Sequence, residues 1–177
     1  MQDKLAKIKL LLLDVDGVLT DGLIIYDNQG NELKAFDVKD GHGLKMLQRA
    51  GFKVGIITGR SSDVVSRRAR ELGIEILYQG ALNKLGPYLE ILSAQGLTDE
   101  QVAYAGDDVV DLPILRRVGF SATVADAVPD VFPFVDYVTS RPGGRGAVRE
   151  ISDLLLRASG QWDELTKKYF DPAFVMD

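Results

Sequence analysis

Two carboxylates end an apolar run near the beginning of the chain. Asp14 and Asp16 stand one residue apart, directly after residues 10–13, which are all leucine. A short apolar run that ends in polar turn residues is typical of a strand buried on both faces. Two carboxylates this close at the end of such a strand resist joint ionisation, and a cation or a proton would hold them together. The alternative is an ordinary strand that leads into a polar turn.

Further polar clusters follow three later apolar runs. If these runs are parallel strands, their carboxyl ends share one edge of the sheet, where the carboxylates could hold a hard cation such as Mg²⁺. A metal, a cationic side chain, a hydroxyl group and a carboxylate nucleophile are the groups that phosphoryl transfer needs. The clusters are Thr58 and Arg60 after the second run, Lys84 after the third, and Asp107, Asp108 and Asp111 after the fourth.

Each of these residues, taken alone, also has an ordinary structural interpretation. Thr58 would cap the helix that follows, Lys84 would be a solvated surface lysine, and Asp111 would be an acid at a helix start. His42, the single histidine, is expected in a loop, at the surface or at the edge of a pocket, rather than as a general base. Polar residues suited to phosphoryl transfer follow four strand-like runs, which is improbable by chance. The joint pattern therefore favours a functional site.

The elements that must position these residues alternate between strand and helix patterns. Segments with helical spacing end at Gly51, Gly73 and Gly96, and glycine there suits a left-handed helix cap. Repeated strand-then-helix order predicts an α/β fold with a doubly wound parallel sheet and right-handed crossovers. After the first strand, the strand-like runs are 52–58, 74–78, 101–105, 120–124 and 137–139.

Two segments depart from this alternation. Residues 23–38 contain two strand-like arms around a turn-rich centre, which predicts a β-hairpin that projects after the first strand. A hairpin needs partners in water, so it either packs on its own domain or forms an oligomer contact. Residues 160–177 carry four aromatic residues with little periodicity. We expect a tail there, docked or frayed, after a single domain over residues 1–159.

Composition narrows the classes of function. The 177 residues suit one compact domain, and a formal net charge of −5 without a long basic run argues against nucleic-acid binding. The absence of cysteine excludes disulfides, thiolate nucleophiles and cysteine-ligated metals. No secretion signal and no run of about 18 apolar residues is present, which predicts a cytoplasmic protein without a membrane partner.

The motifs, taken in order, resemble those of the haloacid dehalogenase superfamily of phosphatases. The resemblance implies a Rossmann-like fold with no large cap domain, a Mg²⁺ cofactor and a homotetramer in which neighbouring subunits cover the site. Lysine stands at position 39, where relatives usually carry arginine. The superfamily motifs are Asp14-Val15-Asp16-Gly17, Thr58-Gly59-Arg60, Lys84 and residues 106–111, and residues 14–22, the hairpin, 38–41 and 143–146 resemble phosphatases of sugar-acid phosphates.

The resemblance also implies a role for each motif residue. Asp14 would be the nucleophile that forms an aspartyl-phosphate, and Asp16 would protonate the leaving alcohol and then activate water. Thr58 would hydrogen-bond the phosphoryl group, and Lys84 would bind it, neutralise developing charge and hold the nucleophile. Arg60 would contact the carboxylate of the sugar acid. The implied metal ligands are Asp14, the backbone carbonyl of Asp16, and Asp107, with Asp108 and Asp111 in support.

Several alternatives stay open. The implied substrate is the phosphate of an eight-carbon sugar acid in the synthesis of a lipopolysaccharide precursor, but a nine-carbon sugar acid would suit the same motifs. A signalling receiver domain also uses acids, threonine, lysine and Mg²⁺, yet its phosphorylated aspartate follows the third strand, where this chain has Leu77-Tyr78-Gln79-Gly80. A catalytically silent protein of this fold is disfavoured because every motif residue is present.

Overall fold

A six-stranded parallel sheet forms the centre of the molecule. The computed structural model describes residues 1–173. The strands are β1 Leu10–Leu13, β2 Ile25–Tyr26, β3 Glu32–Leu33, β4 Lys53–Ile57, β5 Ile76–Tyr78, β6 Val102–Ala105, β7 Phe120–Thr123 and β8 Tyr137–Val138. The central sheet has the order β5-β4-β1-β6-β7-β8, and β2 pairs with β3 in a separate hairpin. The predicted doubly wound α/β fold is therefore confirmed.

Helices cover both faces of this sheet. They are α1 Gln2–Leu5, α2 Val38–Arg49, α3 Asp63–Leu72, α4 Leu85–Gln95, α5 Leu112–Leu115, α6 Ala147–Ala158 and α7 Trp162–Phe170. Leu11 and Leu13 of β1 pack in the cluster with α2, α3 and α6, whereas Leu10 and Leu12 pack in the cluster with α4 and α5. All four leucines are fully buried, which explains why this strand is uniformly apolar.

The register of the sheet brings three strand ends to one level. Leu13 of β1 lies opposite Ile56 of β4 and Ala105 of β6. The chain leaves β1 for β4 on one side and reaches β6 on the other, so the strand order reverses between β1 and β6. Such a switch point opens a crevice beyond the carboxyl ends of the strands, and the loops that follow β1, β4 and β6 meet there.

The loop before α6 lies directly against the loop after β1. A Cβ atom at Gly143 would stand 1.8 Å from the backbone oxygen of Gly17, a distance that only glycine allows. Gly144 adopts φ +61°, and its N–H donates to the Val18 carbonyl over 3.0 Å. Asp40 then caps α6, because its carboxylate accepts from the N–H groups of Gly146 and Arg149. The 143–146 segment thus packs against the loop that follows β1 and helps to fix its position.

The hairpin is shorter than the predicted 23–38 segment. β2 and β3 pair over two residues each, and Val38 begins α2 instead of ending a strand. The reason is Asp37, whose carboxylate accepts from the Lys39 N–H over 2.6 Å and caps that helix. His42 lies within α2, so the expectation of a loop is wrong, although the residue is exposed as expected.

The predicted tail begins with a helix that the sequence pattern did not indicate. In α7, Trp162 and Leu165 pack against the core cluster, and the Arg157 guanidinium lies 4.0 Å from the Trp162 ring centroid. Phe174, the last aromatic residue of the predicted tail, falls outside the described residues. Within residues 1–173, no helix combines the length and the apolar character that crossing a bilayer requires.

Candidate active site

Asp14 and Lys84 form a buried ion pair at the centre of the crevice. Lys84 Nζ lies 2.6 Å from Asp14 Oδ2 and 2.6 Å from Asp111 Oδ1. The Lys84 side chain is 3% exposed, so its interpretation as a solvated surface lysine is wrong. The remaining oxygen of Asp14, Oδ1, accepts from the Val15 N–H over 2.6 Å. Both oxygens of Asp14 are therefore fixed in position.

Asp111 connects Lys84 to the loop that carries Asp107. Its Oδ1 atom accepts from the fully buried Tyr104 hydroxyl over 2.6 Å as well as from Lys84. Its Oδ2 atom accepts from the N–H groups of Asp107 and Asp108 over 3.0 and 3.2 Å. Since both oxygens already have donors, Asp111 supports the site rather than serving only as an acid at a helix start.

Asp107 completes a cluster of three carboxylates. One oxygen from each of Asp14, Asp107 and Asp111 lies within 4.8 Å of the others. No donor among residues 1–173 hydrogen-bonds the Asp107 carboxylate. It lies against Gly17, where a Cβ would stand 1.9 Å from Asp107 Oδ2 and where φ is +88°. An unpaired carboxylate beside two others fits a hard cation with oxygen ligands, so the residues present suit Mg²⁺.

Burial and this excess of negative charge together shift the pKa values of site residues. Burial raises the pKa of Asp14 to about 6, and the charge of Asp111 adds to the rise while Lys84 opposes it. Burial and the charges of Asp14 and Asp111 raise the pKa of Asp107 to about 7. Burial alone would lower the pKa of Lys84, but its two carboxylate neighbours outweigh that effect and raise it. Additional positive charge would stabilise the ionised cluster.

The Asp16 carboxylate lies outside this cluster and contacts the hairpin. Its Oδ1 atom contacts the ammonium of Lys34, and its Oδ2 atom lies 3.8 Å from Arg60 Nε. Arg60 in turn donates to Glu32 and to the Tyr26 hydroxyl, each over 3.2 Å. The proposed acid–base residue and the proposed carboxylate-binding arginine therefore share one network with the hairpin.

Thr58 and Asp108 occupy different parts of the site. Thr58 is buried at the end of β4, and its hydroxyl has no hydrogen-bond partner among the described residues. It does not cap α3, because Ser62 does so through Oγ and the Val65 N–H. Asp108 is exposed and accepts from the Val109 N–H over 2.6 Å. The helix-cap interpretation of Thr58 is wrong, and its hydroxyl remains available to a ligand.

Sequence reasoning missed two kinds of residue in this site. Tyr104 lies inside an apolar strand pattern, and only its phenol oxygen distinguishes it from the purely apolar residues of the core. Glu32 and Lys34 flank the exposed Leu33, and this alternation could have indicated that the two charged side chains share the inner face of the hairpin. The alternation in the hairpin does not show by itself that the hairpin would reach Asp16.

Comparisons with known proteins are consistent with this geometry. The family model for haloacid dehalogenase-like hydrolases matches residues 35–119. The 3-deoxy-D-manno-octulosonate 8-phosphate phosphatase KdsC of Escherichia coli K12 is 52% identical over 161 residues, which cover 91% of this chain and 86% of that protein. The chain belongs to the haloacid dehalogenase-like hydrolases. This member therefore carries the family's fold, with the hairpin as the insertion after β1.

Solved structures of relatives match this hydrolase over nearly its whole length. The 3-deoxy-D-manno-octulosonate 8-phosphate phosphatase of Yersinia pestis is 49% identical and covers 92% of this chain and 88% of its own, with a TM-score of 0.90. The phosphatase of the same name from Moraxella catarrhalis is 42% identical and covers 95% of this chain and 97% of its own, with a TM-score of 0.93. That structure is a complex with a magnesium ion, a phosphate ion and a KDO molecule.

The raised pKa values predict how pH and Mg²⁺ change stability. An acid whose pKa rises on folding stabilises the protein fully at low pH, and this contribution is lost as the pH rises through the folded-state pKa. Without Mg²⁺, the free energy of unfolding should therefore fall between about pH 4 and about pH 7, because Asp14 and Asp107 ionise near pH 4 in the unfolded chain and only at about 6 and about 7 in the folded protein. Mg²⁺ should restore it mainly at the higher pH, since ligand carboxylates must be ionised.

Thermal unfolding with and without Mg²⁺ measures this effect. At a concentration of 100 times its dissociation constant, Mg²⁺ should raise the free energy of unfolding by about 2.7 kcal/mol. This corresponds to a rise in Tm of roughly 5–10 °C for a chain of this size. The Asp107→Asn variant should lose most of the Mg²⁺ response, whereas Asp40→Asn, which changes a buried acid outside the cluster, should keep it. A Mg²⁺ response that is as large at about pH 5 as at about pH 8 would contradict the prediction.

Proposed function

We propose that this chain is a Mg²⁺-dependent phosphatase that hydrolyses 3-deoxy-D-manno-octulosonate 8-phosphate to the free sugar acid and phosphate. The main support is the position of the Asp14 carboxylate, which lies 2.6 Å from Lys84 Nζ and beside Asp107. Relatives of this chain are named for the same activity. The reaction would serve the synthesis of a lipopolysaccharide precursor. A cytoplasmic location stays a prediction from the sequence.

The proposed reaction has two steps. Asp14 forms a bond to phosphorus while the bond from phosphorus to the sugar oxygen breaks, and Asp16 gives its proton to that oxygen. Water then forms a bond to phosphorus and passes a proton to Asp16, and the bond between phosphorus and Asp14 breaks. Lys84 and the Thr58 hydroxyl would bind the phosphoryl oxygens. Asp14, Asp107 and the Asp16 carbonyl would hold Mg²⁺, which offsets the charge between phosphate and carboxylates.

Phosphate release from a panel of substrates tests this function. The panel contains the eight-carbon sugar-acid phosphate, a nine-carbon sugar-acid phosphate and simple hexose phosphates, each with Mg²⁺. We expect the highest kcat/KM for the eight-carbon substrate. A preference for the nine-carbon substrate would change the assigned substrate but not the reaction, whereas no phosphate release from any of them would contradict the function.

Substitutions at the two aspartates should have different consequences. Asp14→Asn should abolish turnover, because an amide of the same size cannot attack phosphorus. Asp16→Asn should lower kcat by about 10²–10⁴-fold through the loss of acid–base catalysis. Steady-state phosphate release from both variants, with circular dichroism as the control for folding, measures this. Turnover by Asp14→Asn near the wild-type rate would remove Asp14 from the mechanism.

Removal of the metal should stop the reaction. A chelator should abolish phosphate release, and excess Mg²⁺ should restore it, because Asp14, Asp107 and the substrate phosphate are all negative. Asp107→Ala should raise the Mg²⁺ concentration needed for half-maximal rate or abolish activity, while Asp163→Ala, at an exposed site on α7, should behave as wild type. Full activity in excess chelator is the result that the proposal does not allow.

We also propose that the enzyme is a homotetramer assembled through the hairpin. The hairpin exposes large apolar side chains, and Leu82 and Val110 are exposed on the loops that follow β5 and β6. An apolar hairpin that is marginal in water and an uncapped crevice would both be covered by neighbouring subunits. The hairpin residues in question are Leu23, Ile24, Ile25, Tyr26 and Leu33, each between 44% and 60% exposed.

A charge placed on the hairpin tests this assembly. Ile25→Lys should shift the mass measured by light scattering from a tetramer toward smaller species, because it buries an unpaired charge in the proposed contact. Leu89→Lys changes an equally exposed apolar residue, also 44% exposed, on α4 and should leave the mass unchanged. A wild-type monomer at assay concentrations would contradict the proposal.

A further inference from the structure

The side chain of one lysine in the exposed hairpin is almost fully buried. The Lys34 side chain is 1% exposed, whereas its neighbour Leu33 is 53% exposed. Lysine is rarely buried without a partner. Here the Lys34 ammonium contacts Asp16 Oδ1 and lies 3.5 Å from Glu32 Oε1. The hairpin therefore sends a charged group inward, to the carboxylate that stands two residues after Asp14.

The two oxygens of Asp16 have different surroundings. Oδ1 is bound by Lys34, and Oδ2 lies 3.8 Å from Arg60 Nε, which is too long for a hydrogen bond. Rotation about the terminal torsion of an aspartate is otherwise broad and nearly two-fold. The contact with Lys34 restricts this rotation and so selects one orientation of the carboxylate.

The hairpin that carries Lys34 is itself anchored to the body. The Ser62 hydroxyl, at the start of α3, donates to Glu32 Oε2, and Arg60 Nη2 donates to Glu32 Oε1 over 3.2 Å. These contacts fix the position of Glu32, two residues before Lys34. A purely structural requirement at position 34 would be met at lower cost by an apolar side chain, since burying an ammonium requires compensation.

We propose that Lys34 is a positioning residue that holds Asp16 in the orientation needed for proton transfer. This inference rests on the proposed phosphatase function and deepens it. Lys34 binds Oδ1, and Oδ2 is the atom that gives a proton to the leaving sugar oxygen and later takes one from water. The hairpin is thus part of the proton-transfer apparatus of its own subunit, in addition to any role in assembly.

Leaving-group dependence separates this role from a structural one. The Lys34→Met variant keeps the length of the side chain and removes its charge, and Lys34→Arg keeps the charge. With the sugar-acid phosphate, whose alkoxide must be protonated, Lys34→Met should lower kcat/KM by about tenfold or more. With 4-nitrophenyl phosphate, whose phenolate leaves without protonation, the loss should be at least several-fold smaller. Lys34→Arg should recover most of the activity toward the sugar-acid phosphate.

A double-mutant cycle provides the second readout. If Lys34 acts through Asp16, then Lys34→Met should lower kcat/KM by less than about twofold in the Asp16→Asn background, because neighbours that share one function are not additive. Losses that multiply in the double variant would overturn the inference. Equal losses for both substrates in Lys34→Met would overturn it as well. If Lys34→Met does not fold, Lys34→Gln replaces it in both measurements.

The wild-type enzyme separates failure of this inference from failure of the proposed function. No phosphate release by the wild type would reject the phosphatase assignment itself. An active wild type with an unaffected Lys34→Met variant would reject only the positioning role. Light scattering on the variants provides the matched control, since the expected losses should occur at an unchanged oligomeric mass.

Discussion

The structure of the site depends on one ammonium group placed between two carboxylates. Lys84 Nζ is 2.6 Å from an oxygen of Asp14 and 2.6 Å from an oxygen of Asp111. Asp111 uses its other oxygen to hold the loop of Asp107, so the position of each acid depends on that of Lys84. One ammonium does not balance three carboxylates, and burial together with the remaining negative charge raises the pKa values of Asp14 and Asp107. A site with this imbalance favours a divalent cation.

The fold brings these groups together through backbone contacts that only glycine permits. Because β1 and β6 are neighbours in the sheet, Asp14 and Asp107 emerge side by side at the switch point. Asp107 then lies so close to Gly17 that a Cβ there would overlap its carboxylate. Gly143 supports the opposite side of the same loop, since its own Cβ would overlap the Gly17 carbonyl. Sequence positions far apart in the chain thus restrict one short loop.

Much of this arrangement could be predicted from the sequence, and the rest depends on tertiary contacts. The all-leucine β1 and the acids after it predicted both the sheet and its functional edge, because burial on two faces leaves a clear pattern. The helix α7 was missed because its contacts with the core are confined to few residues, among them Trp162 and Leu165. Lys34 was missed because alternation in the hairpin can indicate which side chains share a face, but it cannot show that this face meets Asp16.

In the proposed reaction, Asp14 carries the phosphoryl group between the substrate and water. The most direct test of this step is to quench the wild-type enzyme during turnover with Mg²⁺, reduce any acyl phosphate with borohydride and locate the modified residue by mass spectrometry of peptides. We expect reduction of Asp14 to homoserine in the sample with substrate and not in the sample without it. Reduction at a different aspartate, or rapid phosphate release with Asp14 unmodified at every quench time, would contradict it.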